Sequence, residues 1–224
     1  VSIPNHNLIN TGGPWSSKTI FVIFKVDDAQ TTTKQLIYEE GGKTRGLNMY
    51  VQGGKLYAGG WNKKGSESNW FPGNDDWISI PIDSGKWYQA TLILRNATDT
   101  VTAGKLELWL DGVLEGQTSA AQLYAHGSNI GIGRVRNWTV FHDGHSNSPY
   151  YFQGAIDEVR LYNDVLYAIR VEPTSLAFVK TVGVVSTFSI DPPPTPNLDS
   201  EHSTGEVIIK TVANALIGNP QQSG

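Results

Sequence analysis

The stretch FQGAIDEVRLYN, Phe152–Asn163, decides how the chain is read. Strand side chains alternate between two faces, so an extended reading puts Asp157, Val159 and Leu161 on one face and Glu158, Arg160 and Tyr162 on the other. The apolar row is the one to bury, yet an aspartate opens it, and an unpaired buried carboxylate is prohibitively costly. The strand reading therefore demands a partner for Asp157: a cation, a set of backbone N–H groups or an arginine. Arg160 does not serve, because it points to the opposite face.

Upstream, short β-rich runs repeat the theme: TIFVIFKV from Thr19, then QLIY, GLNMYV, KLYAGGW, KWYQATLILR, KLELWLDG and NIGIGRV, separated by Gly, Asn, Asp and Ser. That is the pattern of an antiparallel sandwich or barrel. Gly53-Gly54 and Asp111-Gly112 suit the primed turns of two tight hairpins. No amphipathic helical period persists. Asn62–Trp77 and Arg136–Tyr150 read as long loops, which on a rigid sandwich are the usual carriers of binding. After Ala168 the character changes, and the Pro-rich segment DPPPTPN reads as a linker. The division expected is a β domain over 1–168 and a linker or partial immunoglobulin-like segment over 169–224.

Composition narrows the function. The chain has 224 residues, 24 glycines, and 7 Trp, 9 Tyr and 7 Phe, a bias toward strands and turns. A net charge of −4 with scattered Lys and Arg lacks the footprint of a nucleic-acid binder. No run approaches the ~18 apolar residues that cross a bilayer, so no membrane insertion of this segment is expected. Without cysteine there are no disulfides, thiolate metal sites or thiol nucleophiles.

Taken in order, TIFVIFKVDD, QLIYEEGG, RGLNMYVQGGKLYAGGWN, SGKWYQATLIL, GKLELWLDGVLEG, NIGIGRV and FQGAIDEVRLYNDVL resemble the laminin-G-like, concanavalin A-like jelly-roll domains of bacterial extracellular proteins. The resemblance covers Val1–Leu166 and implies two packed antiparallel sheets, an all-β jelly-roll sandwich. It also implies that an aspartate at the position of Asp157 helps hold a structural Ca²⁺ at the rim, a hard cation that would neutralise the buried charge. Family members open with a further strand ahead of the one matching VSIPN, so either the chain is cut from a longer protein or a later segment such as EVIIKTV, Glu206–Val212, supplies that strand.

Other candidates follow from residue type. His142, Asp143 and His145 lie within four residues and are weak metal candidates; Asp75 and Asp76 hint at calcium or at turn chemistry. Trp61, Trp70, Phe71 and Trp77 cluster in or beside one loop with Asn62, Asn69 and Asn74, and Trp109 faces outward on its strand. Flat apolar planes beside amides suit sugar rings, so these are the glycan-contact candidates. Their bland alternative is to fold back as lids on the sandwich ends; Trp87 is expected in the core.

Catalysis fails a distance test. Glu107 and Asp111 share a strand face, but at ~3.3 Å per residue they stand about 13 Å apart, whereas retaining glycosidases need about 5–5.5 Å and inverting ones about 6.5–9.5 Å. No nucleophile elbow or phosphate loop occurs. The sequence therefore points to a non-catalytic carbohydrate-recognition or adhesion module, secreted or on the cell surface, with calcium as its one expected cofactor. The alternative is a structural or protein-interaction subunit whose tail from Val171 adds a strand to a neighbouring surface protein; a jelly-roll glycosidase is third.

Overall fold

A computed structural model of the chain describes residues 1–62, 77–101, 104–166 and 206–209. Alternating rows of apolar residues build two six-stranded antiparallel sheets. The first runs β1 (Ser2–Ile3), β10 (Ile130–Ile132), β3 (Gln35–Gly41), β4 (Arg45–Gln52), β5 (Lys55–Asn62), β6 (Ile78–Pro81). The second runs β14 (Glu206–Ile209), β13 (Gly154–Tyr162), β2 (Lys18–Val26), β7 (Trp87–Arg95), β8 (Gly104–Leu110), β9 (Val113–Ala120). The inward rows of β2 (Ile20, Val22, Phe24, Val26), β7 (Tyr88, Ala90, Leu92, Leu94) and β8 (Leu106, Leu108, Leu110) pack on Leu47, Met49 and Val51 of β4, Leu56 and Ala58 of β5 and Ile130 and Ile132 of β10. The fold is the all-β jelly-roll sandwich expected from the sequence.

Both anticipated hairpin turns form. Gly53 and Gly54 have φ of 56° and 76°, and Asp111 and Gly112 have 50° and 78°. Positive φ at both central residues is the primed geometry that matches strand twist. Residues 206–209 pair antiparallel with β13, Glu206 opposite Tyr162 and Ile209 opposite Val159. The tail's strand is thus added to its own sandwich, on the edge of β13 away from β2.

The opening puzzle has a different answer from the one the spacing suggests. β13 is extended, but its register with β2 shifts between Ile156 and Glu158, with Ile156 opposite Phe24 and Glu158 opposite Ile23. Asp157 is the additional residue of a β-bulge. Ile156 packs against the core ahead of Val159 and Leu161, while Asp157 is exposed. The bulge corrects the expected face of Asp157 while leaving the strand intact.

Residues 136–150, read as a loop, contain a third element, the hairpin of β11 (Thr139–Phe141) and β12 (Gly144–Ser146). It lies over the outer face of the first sheet and closes a second core from Leu36, Tyr50, Trp61, Trp77, Val135, Val140 and Phe141. Every residue of β3 is buried as a result, since one face of the strand meets the main core and the other meets this cap. Among the described residues no helix is long and apolar enough to cross a membrane.

Candidate functional site

The aromatic candidates separate by depth. Trp61 has no exposed surface, and its indole N–H donates to the Gly42 carbonyl at 2.7 Å. Trp77 is 7% exposed and lies so close over Gly59 that a Cβ there would come within 2.4 Å of the ring. A ring without an open face offers a sugar nothing to stack on, so these two are corrected from contact surface to lid, the other role weighed for them. Asn62 is likewise buried, its amide donating to the Gln122 carbonyl. Asn69, Trp70, Phe71, Asn74, Asp75 and Asp76 lie outside the described residues.

On the second sheet, Trp109 is half-buried on the outward side and donates its N–H to Glu107 at 3.1 Å. Glu107 also accepts from Arg95 at 2.6 Å, which ties the carboxylate into a side-chain network. Trp87, expected in the core, is 42% exposed with Lys25 over its ring. The inward row of β7 begins one residue later, at Tyr88.

A groove of about 360 Å³ opens at one end of the first sheet, between the Gly42–Arg45 turn and the Ala125–Ser128 segment. Its walls are tied together. Arg45 donates to the Ala125 carbonyl at 2.9 Å, Asn137 to the Ser128 carbonyl at 2.9 Å, and the Asn129 N–H to Asn5 at 2.8 Å. Ser128 and Asn129 both hold positive φ, 93° and 60°, a conformation that costs non-glycine residues free energy and persists where neighbours enforce it. Two cations stand over aromatic faces here, Lys43 at 3.5 Å from the Trp138 centroid and Arg45 at 5.4 Å from that of Tyr124. β5 ends at Asn62, which pairs with Arg45 beside this groove.

Beneath the groove lies a buried charge cluster. Lys18 and Glu40 are both fully buried and 2.7 Å apart. The ammonium also donates to the Ile9 carbonyl at 2.5 Å and faces Trp15, while Tyr38 donates to Glu40 at 3.0 Å. His126 lines the groove, and its Nδ1 pairs with the Tyr124 carbonyl at 2.8 Å, which requires a proton on that nitrogen. Its Nε2 faces Glu40 at 3.9 Å. Burial pushes the imidazole below its usual pKa against the opposing pull of Glu40, so the ring is neutral at pH 7.

These observations bear on ancestry. A family model described as the concanavalin A-like lectin/glucanases superfamily matches residues 1–171. The chain belongs to that family. No curated protein sequence matches it. Solved structures similar to this concanavalin A-like domain include a Bacteroides ovatus protein described as carbohydrate binding, at 16% identity over 74% of this chain and 41% of that one with a TM-score of 0.48. Another is the ligand binding domain of botulinum neurotoxin serotype D in complex with N-acetylneuraminic acid, at 10% identity over 73% and 36% with a TM-score of 0.47. A third is domain 4 of AbnA, an extracellular arabinanase of Geobacillus stearothermophilus, in complex with arabinotriose, at 13% identity over 71% and 64% with a TM-score of 0.43. The concanavalin A-like chain spans less than two thirds of each.

The metal candidates of this concanavalin A-like domain do not converge. His142 pairs with the Tyr50 hydroxyl at 2.5 Å and stacks on Tyr57, Asp143 accepts from Lys34 at 2.8 Å, and His145 lies against Trp138. Among the described residues no three of His, Asp and Glu are grouped to hold an ion. Asp157, in its bulge, is exposed, so burial does not by itself demand the calcium ion that the resemblance implies. Asp157→Asn is expected to shift stability by no more than about 0.5 kcal/mol, the range of exposed positions. Chemical denaturation with and without chelator checks this; a chelator-sensitive midpoint that vanishes in the variant would restore the ion.

Sequence reasoning passed over the groove because its residues come from two segments some eighty positions apart, Gly42–Arg45 and Ala125–Ser128. A visible signal was the pair of cations in the glycine-rich turn GGKTRG, Gly41–Gly46.

Proposed function

We propose that the chain is a non-catalytic carbohydrate-recognition module of a larger extracellular protein. The observation that carries this reading is the groove itself. It is hydrogen-bonded into shape on a rigid sandwich and small, at the lower end of the about 300–1,000 Å³ of ligand pockets. Polar and charged groups line it, with Trp138 and Tyr124 at its margin. Asn69, Trp70, Phe71 and Asn74, which lie outside the described residues, remain proposed contributors to the contact. Such a module works outside the cell, where its ligands are met.

The acids speak against hydrolysis. Glu39 and Glu40 are consecutive on β3 and project to opposite faces, so they cannot flank one glycosidic bond. Glu39 lies beneath the Arg136 backbone and Glu40 is paired with Lys18 in the main core. The interaction-subunit reading has less support, because β14 pairs with β13 of its own chain.

A polysaccharide pull-down with parallel assay of released reducing ends tests the proposal. Retention on at least one polysaccharide with no release of sugar is expected. Release of product, or failure to bind any polysaccharide, overturns it.

A further inference from the structure

We propose that Glu39 carries a proton in the folded chain and donates it to Asn48 Oδ1, so that the pair latches the β11–β12 hairpin over the first sheet and releases it when the proton leaves. The inference is independent of what the groove binds. Glu39 of β3 and Asn48 of β4 stand directly opposite each other in the ladder, and both are fully buried. Opposed side chains on one sheet face have Cβ atoms about 4.5–5.5 Å apart, within reach of one hydrogen bond.

Each member of the pair has an oxygen that needs a donor. Asn48 gives its amide hydrogens to the cap, to Thr139 Oγ1 at 2.9 Å and to the Val140 carbonyl at 2.7 Å. A carbonyl can only accept, so Val140 fixes which end of the amide is nitrogen and leaves Oδ1 as the acceptor. Among the described residues neither Asn48 Oδ1 nor Glu39 Oε2 has a hydrogen-bond partner. Two ionised or neutral acceptors facing each other in a buried site are costly, and one proton on Oε2 satisfies both. The carboxyl O–H then donates to Asn48 while its other oxygen keeps the Arg136 backbone N–H at 2.8 Å. The resulting chain of bonds begins at Arg136 and ends at Thr139 and Val140, so both of its ends hold the segment that forms the cap.

The surroundings of Glu39 keep that proton in place. Burial is the largest influence and raises its pKa to about 8, against the Arg136 N–H bond and guanidinium and aided by Glu40, which faces the main core. From the other elements packed here, β10 brings Gly131, β11 brings Thr139 and Val140, and β4 brings Asn48 and Tyr50. Of these Tyr50 alone ionises, and burial pushes its hydroxyl well above its ordinary range. Once the proton leaves, a carboxylate oxygen meets Asn48 Oδ1 away from water, and lifting the hairpin lets water solvate it. The closed state holds the proton more tightly than the open one. The latch is therefore complete below about pH 4.5 and weakens as pH rises toward 8, uncovering Leu36, Tyr50, Trp61 and Trp77.

The test follows the full chain by infrared spectroscopy, side-chain NMR and amide hydrogen exchange between about pH 5 and about pH 9. At pH 6.5 wild type should show a protonated-carboxyl band that Glu39→Gln lacks. The Asn48 carboxamide signals should shift with the same midpoint at which that band disappears. Protection of the Thr139–Phe141 amides, corrected for intrinsic exchange, should fall by up to about tenfold per pH unit until the carboxyl has ionised. In Glu39→Gln the amide N–H takes the place of the acid O–H, and cap protection should stay level with pH. Absence of the band, Asn48 signals that do not follow it, or cap amides as strongly protected as those of β2 at every pH would each overturn the proposal. The wild-type spectra decide the first two points even if the variant folds poorly.

Discussion

Replacing Lys18 by methionine is expected to cost about 3–5 kcal/mol of folding stability, the usual consequence of removing one partner of a buried ion pair. The reason is what remains. Glu40 has no exposed surface, and among the described residues its carboxylate, without the ammonium, keeps only the Tyr38 hydroxyl and a histidine held neutral by burial. The Ile9 carbonyl loses its donor as well. Lys18→Met with Glu40→Leu removes both charges, and the double variant should recover most of the loss, since apolar replacement of a whole buried pair is often close to neutral. Urea denaturation of the two single variants and the double variant closes the cycle. A single-variant loss below about 1 kcal/mol would mean that water reaches Glu40 and that the pair is not sealed.

That pair was written in the sequence, though not where the eye goes first. In KTIFVIFKV, Lys18 takes the same alternating row as Ile20, Val22 and Phe24, and in QLIYEEG, Glu40 follows Tyr38. The question raised by Asp157 belonged to these two residues. A bulge moved Asp157 out of the row, whereas nothing moved Lys18 or Glu40. Periodicity can flag a charge in an apolar row, but it does not reveal the partner, which lies 22 positions away on the other sheet. The tight hairpins were legible because their turns demand particular residues. The β11–β12 hairpin was not, because strands of three residues carry too little alternation, and the His142-Asp143 turn alone reads as loop. Trp61 and Trp77 show the same limit, since a tryptophan beside a polar loop reads alike whether its ring faces water or a cap.

Glu39 leads to the second large effect, one that depends on pH. Its side chain lies on the capped face of β3, opposite Gly131, where a Cβ would come within 2.7 Å of the carboxyl oxygen. One oxygen accepts the Arg136 backbone N–H at 2.8 Å, and the other has no hydrogen-bond partner among the described residues. Burial pushes its pKa up from 4.5 to about 8, against the Arg136 amide bond and aided by Glu40. A carboxyl whose folded pKa is raised holds its proton more tightly in the native state than in the unfolded chain. Its contribution is therefore complete below about pH 4.5 and is lost as pH rises toward 8, after which it levels off. At 1.36 kcal/mol per pKa unit, wild type should lose on the order of 3–4 kcal/mol between about pH 5 and about pH 8.5 from this group. Glu39→Gln keeps an acceptor for the Arg136 amide and has no proton to lose, so its stability should stay flatter across that window and exceed that of wild type at the alkaline end. Denaturant midpoints of the two proteins, measured in parallel across the range, isolate Glu39 from every other titrating group. Parallel curves would show that the carboxyl ionises at its ordinary pKa, and hence that the β11–β12 cap admits water over the first sheet.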